Sequence, residues 1–485
     1  MIFSKLDRVI SYLLLLFSGI VLIYVALYST VHYEGSESIN HYLFSAAIYS
    51  HPEVVLDNWG KPLFMILSAP FTVFGEKGVM IFNCLVMLLS AFFAFKFLKE
   101  LEVRWAFPVV LLIIFAPVYY NFAQSCLTEP LFGLVAISSA YLFLKRKYLL
   151  ATLIISFIVF ARTEGMLFIP LFAFALIVRR KYSYLPFLLS GFFVYSISGW
   201  IMGKGILIFF TSYPYSAVVD FYGTGPFWHW FTNHEHITGV PFSILLVIST
   251  GIIVFNSLRN FNQLLSQKKL VFIFLVFGPA IIYIFGHSYL WYKGLSASIG
   301  LYRIVGGVIP MLAVIAIVGI DYLIKGIESI PNGRYISLSI MGVISIWIVS
   351  FTYNKKDSLI FVQPSELEKT VARSIDWIKE NELHESTMIV YQAQYLITFK
   401  SKKFDPDNSK IKEGNYAIRN RSKPHESMNK GDLFIWDGKG TPLEGGIPIE
   451  NMDTTYFDFL AEFRPENEFD VHMAGKYYIK IFRRK

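Results

Sequence analysis

The chain has 485 residues, of which 55% are hydrophobic, 17% aromatic and only 16% charged, and its formal net charge is +8. This composition excludes an ordinary soluble protein and predicts a polytopic α-helical membrane protein. Basic loops beside anionic membrane lipids explain the positive charge, so nucleic acid is not an expected partner.

Apolar runs long enough to span a bilayer recur along the first 353 residues. They lie at 9–29, 79–98, 105–122, 127–144, 183–201, 239–258, 269–286, 304–324 and 335–353. The first run lacks the small-residue cleavage site of a signal peptide, so we interpret it as a retained anchor. Two shorter runs flank the stretch FARTEGMLF at residues 160–168. Together these runs predict about eleven transmembrane helices.

Lysine and arginine cluster in alternate connections, which predicts that those connections and the N-terminus are cytoplasmic. KRK at 145–147 and RRK at 179–181 then lie on one side, so the chain between them crosses outward and returns. Arg162 and Glu164 lie at the apex of this hairpin and are expected to line a buried polar cavity. The predicted location is the cytoplasmic (inner) membrane, crossed many times.

Residues 354–485 differ in composition, because charged residues become common and no apolar run is long enough to span. The segment PSELEKTVARSIDWIKENEL has apolar residues at helical spacing, and TMIVYQ, DLFIWD and YYIKIF are typical of short strands. We therefore predict a membrane domain at 1–353 and a small extracytoplasmic α/β domain at 354–485.

The first predicted external loop, residues 30–78, carries Glu34, Glu37, His41, Asp57 and Lys61. In a helix that starts near Ser36, Glu37 and His41 are one turn apart, a spacing that suits a divalent metal ion or a shared proton. The alternative is an amphipathic helix in the membrane interface with ordinary charged residues on its polar face.

Glu129, in SCLTEPLF, opens the fourth apolar run after a very short external connection. A carboxylate in the first helical turn, with Thr128 before it and Pro130 after it, is also what helix capping requires. Both a functional and a capping role therefore stay open for Glu129.

Two more polar clusters lie in predicted external loops. The first contains three histidines but matches no zinc spacing, so a solvated aromatic loop is the alternative to a metal site. The second includes His287 and, at the head of an apolar run, Arg303, among tryptophan, tyrosine and lysine residues typical of membrane interfaces. The residues of the first cluster are Asp220, His229, His234, Glu235 and His236.

An external membrane cavity with carboxylates and arginines suits group transfer from a lipid-phosphate donor. A carboxylate would accept the proton of the acceptor hydroxyl, while arginine would stabilise the departing phosphate. The sequence contains no Walker A or dinucleotide-binding fingerprint, so a nucleotide-driven step is not supported.

Six short motifs occur in one order: an acid-bearing first loop, WGKPLF, TEPLF, ARTEG, YGTGP and LYRIVGGVIP. In that order they resemble the bacterial GT-C integral-membrane glycosyltransferases, relatives of protein O-mannosyltransferases and lipid A aminoarabinose transferases. The resemblance covers roughly residues 1 to 353. It implies an inverting transfer of a hexosyl or mannosyl type from a polyprenyl-phosphate sugar to a glycan, lipid or protein acceptor on the outer face. It also implies that the first-loop acid is a general base or metal-linked carboxylate, which the motif places on Glu37, with Glu34 second.

We accordingly expect Glu37, Glu34 and Glu129 to be catalytic, and Arg162 with Arg303 to bind the donor phosphate. The expected substrate-binding residues are Glu164, His41, Asp57, Lys61 and His229. A structural Arg162–Glu164 bridge is the alternative for ARTEG. The alternatives for the whole chain are a secondary transporter, although we find no internal repeat, and a non-catalytic envelope-assembly protein.

Overall fold

The fold was analysed in a computed structural model of the chain. It describes residues 2–212, 223–259, 266–296, 298–354, 361–405, 407, 409–471 and 475–485. Asp220 and the first residue of the YGTGP motif, Tyr222, lie outside the described residues.

Within the described residues, seven helices are long and apolar enough to cross a membrane. They are Phe3–Tyr28, Pro62–Glu100, Tyr182–Ile201, Val240–Arg259, Gln267–Lys293, Tyr302–Ile327 and Gly333–Thr352. The bent pair Pro117–Gln124 and Glu129–Leu144 counts as an eighth if it is one span, and Tyr148–Ala161 and Thr163–Val178 are shorter apolar helices. The polytopic α-helical fold is thus confirmed, whereas the number of eleven spans stays a prediction.

The apolar run at 105–122 is not one helix, contrary to the expectation from its length. It forms Pro108–Ile114 and Pro117–Asn121, separated at Ala116, whose backbone is extended (φ −62°, ψ 126°). Pro117 explains the break, because proline disfavours the helical conformation of the residue before it and cannot donate a backbone hydrogen bond. The chain then bends by 118° before the helix that Glu129 begins.

Several of the long helices contain a change of helical type. Pro62–Glu100 consists of α-helix Pro62–Ser68, 3₁₀ helix Ala69–Phe74 and α-helix Gly75–Glu100, and Tyr182–Ile201 consists of 3₁₀ helix Tyr182–Leu189 and α-helix Ser190–Ile201. Gln267–Lys293 consists of α-helix Gln267–Phe272, π-helix Ile273–Phe277 and α-helix Gly278–Lys293. Tyr302–Ile327 consists of 3₁₀ helix Tyr302–Val308 and α-helix Ile309–Ile327. Short helices at Ile208–Thr211, His229–Thr232 and His234–Ile237 lie between helices Ser190–Ile201 and Val240–Arg259 in the chain.

Contacts divide the chain into two compact units, which we describe separately. The first unit contains the apolar helices. The second combines Val31–Val54 with Val362–Lys485, so part of the first predicted loop packs with the C-terminal residues. Composition alone does not reveal this grouping, because the two segments are far apart in the chain.

The second unit contains a five-stranded sheet in the order β2-β1-β3-β7-β4 and a small β5-β6 hairpin. Strand β1 is parallel to β2 and β3, whereas β7 is antiparallel to β3 and β4. The strands are β1 (Met388–Val390), β2 (Ile411–Glu413), β3 (Leu433–Asp437), β4 (Phe457–Phe463), β5 (Asp470–Val471), β6 (Gly475–Lys476) and β7 (Ile479–Arg484). The predicted TMIVYQ, DLFIWD and YYIKIF strands correspond to β1, β3 and β7, which confirms the small α/β region.

Helix Glu366–Glu380 begins with a capping box in which Ser365 and Glu368 satisfy each other's backbone N–H groups. Its apolar face, including Val371 and Ile375, packs into the core of the sheet. Helix Gly35–Ala47 contributes Ile39 and Leu43 to that same core. The first-loop helix is therefore an integral part of the α/β fold. The other helical segments of this unit are Pro52–Leu56 (partly), Leu383–Glu385, Ala393–Thr398, Gly414–Ala417, Pro424–Ser427, Gly440–Glu444 and Ile449–Asn451.

Candidate active site

Glu129 is the first residue of helix Glu129–Leu144, directly after the 118° bend. Asn83, which is fully buried, donates its side-chain amide to the carbonyl oxygens of Ser125 and Leu127, both at 2.9 Å. These bonds satisfy two backbone acceptors that the break would otherwise leave unpaired. Asn83 therefore fixes the short connection that aims Glu129.

The Glu129 carboxylate is shared by two arginines. Its Oε1 atom lies 2.7 Å from Nη1 of Arg162 and 2.9 Å from Nη1 of Arg303. The Glu129 side chain is fully buried, and those of Arg162 and Arg303 are 12% and 5% exposed. Thr128 occupies the N-cap position but its side chain makes no capping hydrogen bond, and a capping role does not account for the two arginines that converge on this carboxylate.

Arg162 can reach two carboxylates because the helix breaks at this residue. Its backbone is extended (φ −156°, ψ 138°) between helix Ile158–Ala161 and the 3₁₀ turn Thr163–Leu167. Its Nη2 atom therefore lies 2.9 Å from Glu164 Oε1, a pairing that two positions in one continuous helix would not allow. Both the bridge to Glu164 and a second bridge to Glu129 are present.

Gly165 allows the chain to fold tightly after this break. A β-carbon at position 165 would lie 2.9 Å from the carbonyl oxygen of Ile158 and 2.8 Å from its side chain. A larger residue would push the turn away from helix Ile158–Ala161 and move Arg162 and Glu164 with it.

His287 joins the site from helix Gly278–Lys293. Its Nε2 atom lies 3.6 Å from Glu164 Oε1, and its ring packs against that of Tyr283, with centroids 4.6 Å apart. Sequence reasoning did not assign His287 to the site. The available signal was a pair of polar aromatic residues, Tyr283 and His287, one turn apart in an apolar helix.

Some polar atoms of the cluster lack partners. Among the described residues, Arg162 Nε and Glu129 Oε2 are buried and have no hydrogen-bond partner. A buried guanidinium N–H or carboxylate oxygen normally has one, since leaving it unpaired is costly. These two atoms are therefore the clearest indication that the cluster receives a polar ligand.

Asp57 and Lys61 lie in the turn that precedes helix Pro62–Ser68. Asp57 Oδ1 accepts the backbone N–H groups of Trp59 at 2.7 Å and Gly60 at 3.2 Å. Lys61 is buried, has a positive φ of 63° and donates its ammonium group to the carbonyl of Asn58 at 3.1 Å.

His229 belongs to an aromatic cluster that includes Tyr302, the residue directly before Arg303 in the chain. Its Nε2 atom lies 2.8 Å from the carbonyl oxygen of Gly300, and its ring stacks on Tyr302 with centroids 5.4 Å apart. His236 stacks on the same tyrosine at 5.6 Å. This arrangement orders the chain immediately before Arg303.

The structure thus brings together Glu129, Arg162, Glu164 and Arg303, whereas Glu34, Glu37 and His41 belong to the second unit. Glu37 and His41 do share one helix, Gly35–Ala47, as their spacing predicts. Among the described residues, no three histidine, cysteine, aspartate or glutamate side chains form a set that could hold a metal ion.

No protein-family model and no curated protein sequence matches the chain. Solved structures do. The chain resembles ArnT from Cupriavidus metallidurans bound to undecaprenyl phosphate, with a TM-score of 0.62, 10% identity and 97% of each chain covered. The apo state of that protein gives a TM-score of 0.61. The Archaeoglobus fulgidus oligosaccharyltransferase tethered to an acceptor peptide gives 0.54 at 11% identity, covering 96% of this chain and 74% of the other.

Both similar proteins are GT-C glycosyltransferases, and both are matched over nearly the whole of the present chain. The resemblance inferred from the motifs is therefore confirmed for the fold. Its extent is greater than expected, because the matched region includes the C-terminal residues as well as residues 1 to 353.

Proposed function

We propose that this protein is a membrane glycosyltransferase that moves a sugar from a polyprenyl-phosphate donor to an acceptor at the outer face of the membrane, with inversion. The observation that carries the proposal is the buried cluster in which Arg162 and Arg303 meet on one oxygen of Glu129. The partnerless N–H of Arg162 is a donor ready for an anionic group.

The chemistry of arginine favours phosphate as that group. A guanidinium group presents several N–H donors in a planar fork that matches two phosphate oxygens. The similarly folded ArnT structure contains undecaprenyl phosphate, a lipid monophosphate. The fold is therefore compatible with a ligand of this class, although the particular lipid and sugar are part of the proposal.

The proposed reaction forms a bond between the acceptor oxygen and the anomeric carbon while the bond from that carbon to the phosphate oxygen breaks. The bonding electrons leave with the phosphate, whose growing charge Arg162 and Arg303 stabilise. Donors fixed in a buried site need little rearrangement as this charge develops, which makes them effective. Glu129 holds the two guanidinium groups beside each other, and Glu164 orients Arg162.

The acceptor proton requires a base, and Glu37 is our candidate, with Glu34 as the second choice. Glu37 is half-buried in the first turn of helix Gly35–Ala47. We further propose that Lys61, His41 and His229 contact substrate, whereas Asp57 holds the turn that presents Lys61.

The test is transfer by the purified chain in liposomes that contain labelled polyprenyl-phosphate sugars. We expect label to move from lipid to acceptor with release of polyprenyl phosphate. The Glu37→Gln variant should bind donor but transfer about 10²–10⁴-fold more slowly, as is usual when a general base is removed. An equal loss in Glu34→Gln alone would move this role to Glu34. Movement of intact label across the bilayer without transfer would instead support a transporter.

A further inference from the structure

The helix that carries Glu37 is built into the α/β unit. Its residues Ile39 and Leu43 are 3% and 8% exposed and share a core with Val371, Ile375 and Leu396. Burial of such side chains stabilises the helix only while the α/β unit is folded beneath it. The position of Glu37 thus depends on residues more than three hundred positions later in the chain.

A hydrogen-bond chain fixes the start of this helix to the sheet. The Ser36 hydroxyl lies 2.7 Å from Gln392 Oε1 and 2.5 Å from Gln394 Oε1. Gln392 Nε2 in turn donates to Asp437 Oδ1 at 2.8 Å. Gln392 is the second residue after β1, and Asp437 ends the adjacent parallel strand β3.

This edge is where open α/β sheets commonly bind their ligands, at the carboxyl ends of neighbouring parallel strands. In this protein, the start of the first-loop helix is bonded to that edge. The joint is also tight, since a β-carbon on Gly35 would lie 3.0 Å from Glu368 Oε1, and Gly35 has a φ of 46° that favours glycine.

The surroundings of Asp437 determine how Gln392 is oriented. The Asp437 carboxylate is buried and accepts the backbone N–H groups of Lys439 at 3.0 Å and Gly440 at 2.6 Å, which hold it in place. The same Oδ1 atom also accepts the NH₂ group of Gln392, which is the donor end of that amide. The carbonyl oxygen of the same amide is thereby directed to Ser36.

We propose that the α/β unit positions the catalytic base and that Gln392 is the positioning residue at this joint. Because Glu37 follows Ser36 directly in the first helical turn, loss of the Ser36–Gln392 bond would let its carboxylate move. A displacement of about 1 Å can lower a rate by about 10²-fold. This inference rests on the proposed function, which makes Glu37 the base.

The experiment compares Gln392→Ala and Ser36→Ala in the full chain, with Ser36→Thr as the conservative variant that keeps the hydroxyl. Ser50→Ala is the matched control, because the Ser50 hydroxyl donates only locally, to Ala47 at 3.3 Å, and is exposed. Hydrogen exchange of residues 35–47 reports the position of the helix, and transfer kinetics in liposomes report catalysis. Ser36→Ala removes the bonds to both Gln392 and Gln394, whereas Gln392→Ala removes only the first, and either variant can be used if the other does not fold.

Both alanine variants should exchange faster at residues 35–47 and lose about 10-fold to 10²-fold in kcat, with the donor KM unchanged. Ser36→Thr and Ser50→Ala should resemble the wild type. Glu37→Gln should also cost at least about 10-fold less in the Gln392→Ala background than in the wild type, because coupled residues are not additive.

An equal cost of Glu37→Gln in both backgrounds would overturn the positioning role, as would a loosened helix with unchanged kcat. Either result leaves the proposed function standing if the wild-type chain transfers sugar. Absence of transfer by the wild-type chain contradicts the proposed function and, with it, this inference.

Discussion

Arg162 Nη1 lies 2.7 Å from Glu129 Oε1. This ion pair links the helix break at Arg162 to the first residue of helix Glu129–Leu144. Both side chains are largely withdrawn from solvent, so each charge needs compensation by a partner, and Arg162 has a second partner in Glu164. The same carboxylate oxygen receives Arg303 at 2.9 Å. A glutamate that only capped a helix would not need this environment.

Glu129→Gln should therefore destabilise the protein and weaken donor binding. Breaking a buried ion pair by removing one partner typically costs about 3–5 kcal/mol, because the other charge is left uncompensated. Thermal unfolding in detergent and a donor-binding assay measure the two effects. Glu100→Gln is the control, since the Glu100–Lys145 pair is exposed and should contribute at most about 1 kcal/mol. Unchanged unfolding and binding in Glu129→Gln would favour the capping role.

Asn83→Ala should disturb the site without touching any charged residue. It removes two hydrogen bonds to the connection before Glu129 and leaves two buried carbonyl oxygens unsatisfied, each at a cost of about 1–3 kcal/mol. We expect a lower unfolding temperature and weaker donor binding. Ser90→Ala, on the same helix, removes a hydroxyl that donates to the helix carbonyl of Val86 and should change donor binding little. Donor affinity equal to that of the wild type in Asn83→Ala would argue against its positioning role.

Truncation after Asn354 should abolish transfer while the first unit still binds donor. The truncation removes the core on which Ile39 and Leu43 pack, so helix Gly35–Ala47 loses its support. Donor binding and transfer measured on the same preparation separate the two effects. A truncated chain that transfers sugar at the full rate would show that the α/β unit is not needed for catalysis.

The α/β unit should lose stability as the pH rises through the native pKa of Glu413. Burial raises the pKa of this carboxyl, which ends β2, above its ordinary value. Between the unfolded and native pKa values the native state binds more protons than the unfolded state, so stability falls as the pH increases. Hydrogen exchange of β1 and β3, corrected for intrinsic rates, should show this fall. Glu413→Gln should reduce the fall without abolishing it, because burial also raises the pKa of Glu368 and Glu444 in this unit. An unchanged slope would contradict the assignment to Glu413.

Local sequence patterns predicted the elements that depend on local physics. Long hydrophobic runs predicted the apolar helices, because a chain that crosses the hydrocarbon layer must be apolar over that length, and short runs of apolar and aromatic residues predicted β1, β3 and β7. The broken helix at Ala116 was also predictable, because Pro117 is a strong local signal. The prediction of a single span gave more weight to the length of the apolar run than to this proline.

Long-range relationships were not predictable in the same way. The sequence indicated Glu129, Arg162 and Arg303 separately, but no periodicity reveals that the two arginines bind one oxygen of the Glu129 carboxylate. The apolar spacing of Ile39 and Leu43 indicates an amphipathic helix, yet it does not identify the α/β core as the partner. His287 was placed in the same polar cluster as Arg303 but was given no role, because a single histidine near aromatic residues has no distinctive spacing.

Equilibrium binding of a sugar-free polyprenyl phosphate to the purified chain and to Arg162→Lys tests directly whether Arg162 binds the donor phosphate. Lysine keeps the charge but loses the planar fork, and we expect saturable binding that weakens by about 10-fold or more at little change in stability. Arg146→Lys is the control, because Arg146 is exposed and its Nε bonds Gln267 at 2.9 Å. Absence of saturable binding by the wild-type chain would contradict a polyprenyl-phosphate site. Binding by Arg162→Lys as tight as that of the wild type, with only a loss of stability that Glu164→Gln restores, would contradict the role of Arg162 in phosphate binding.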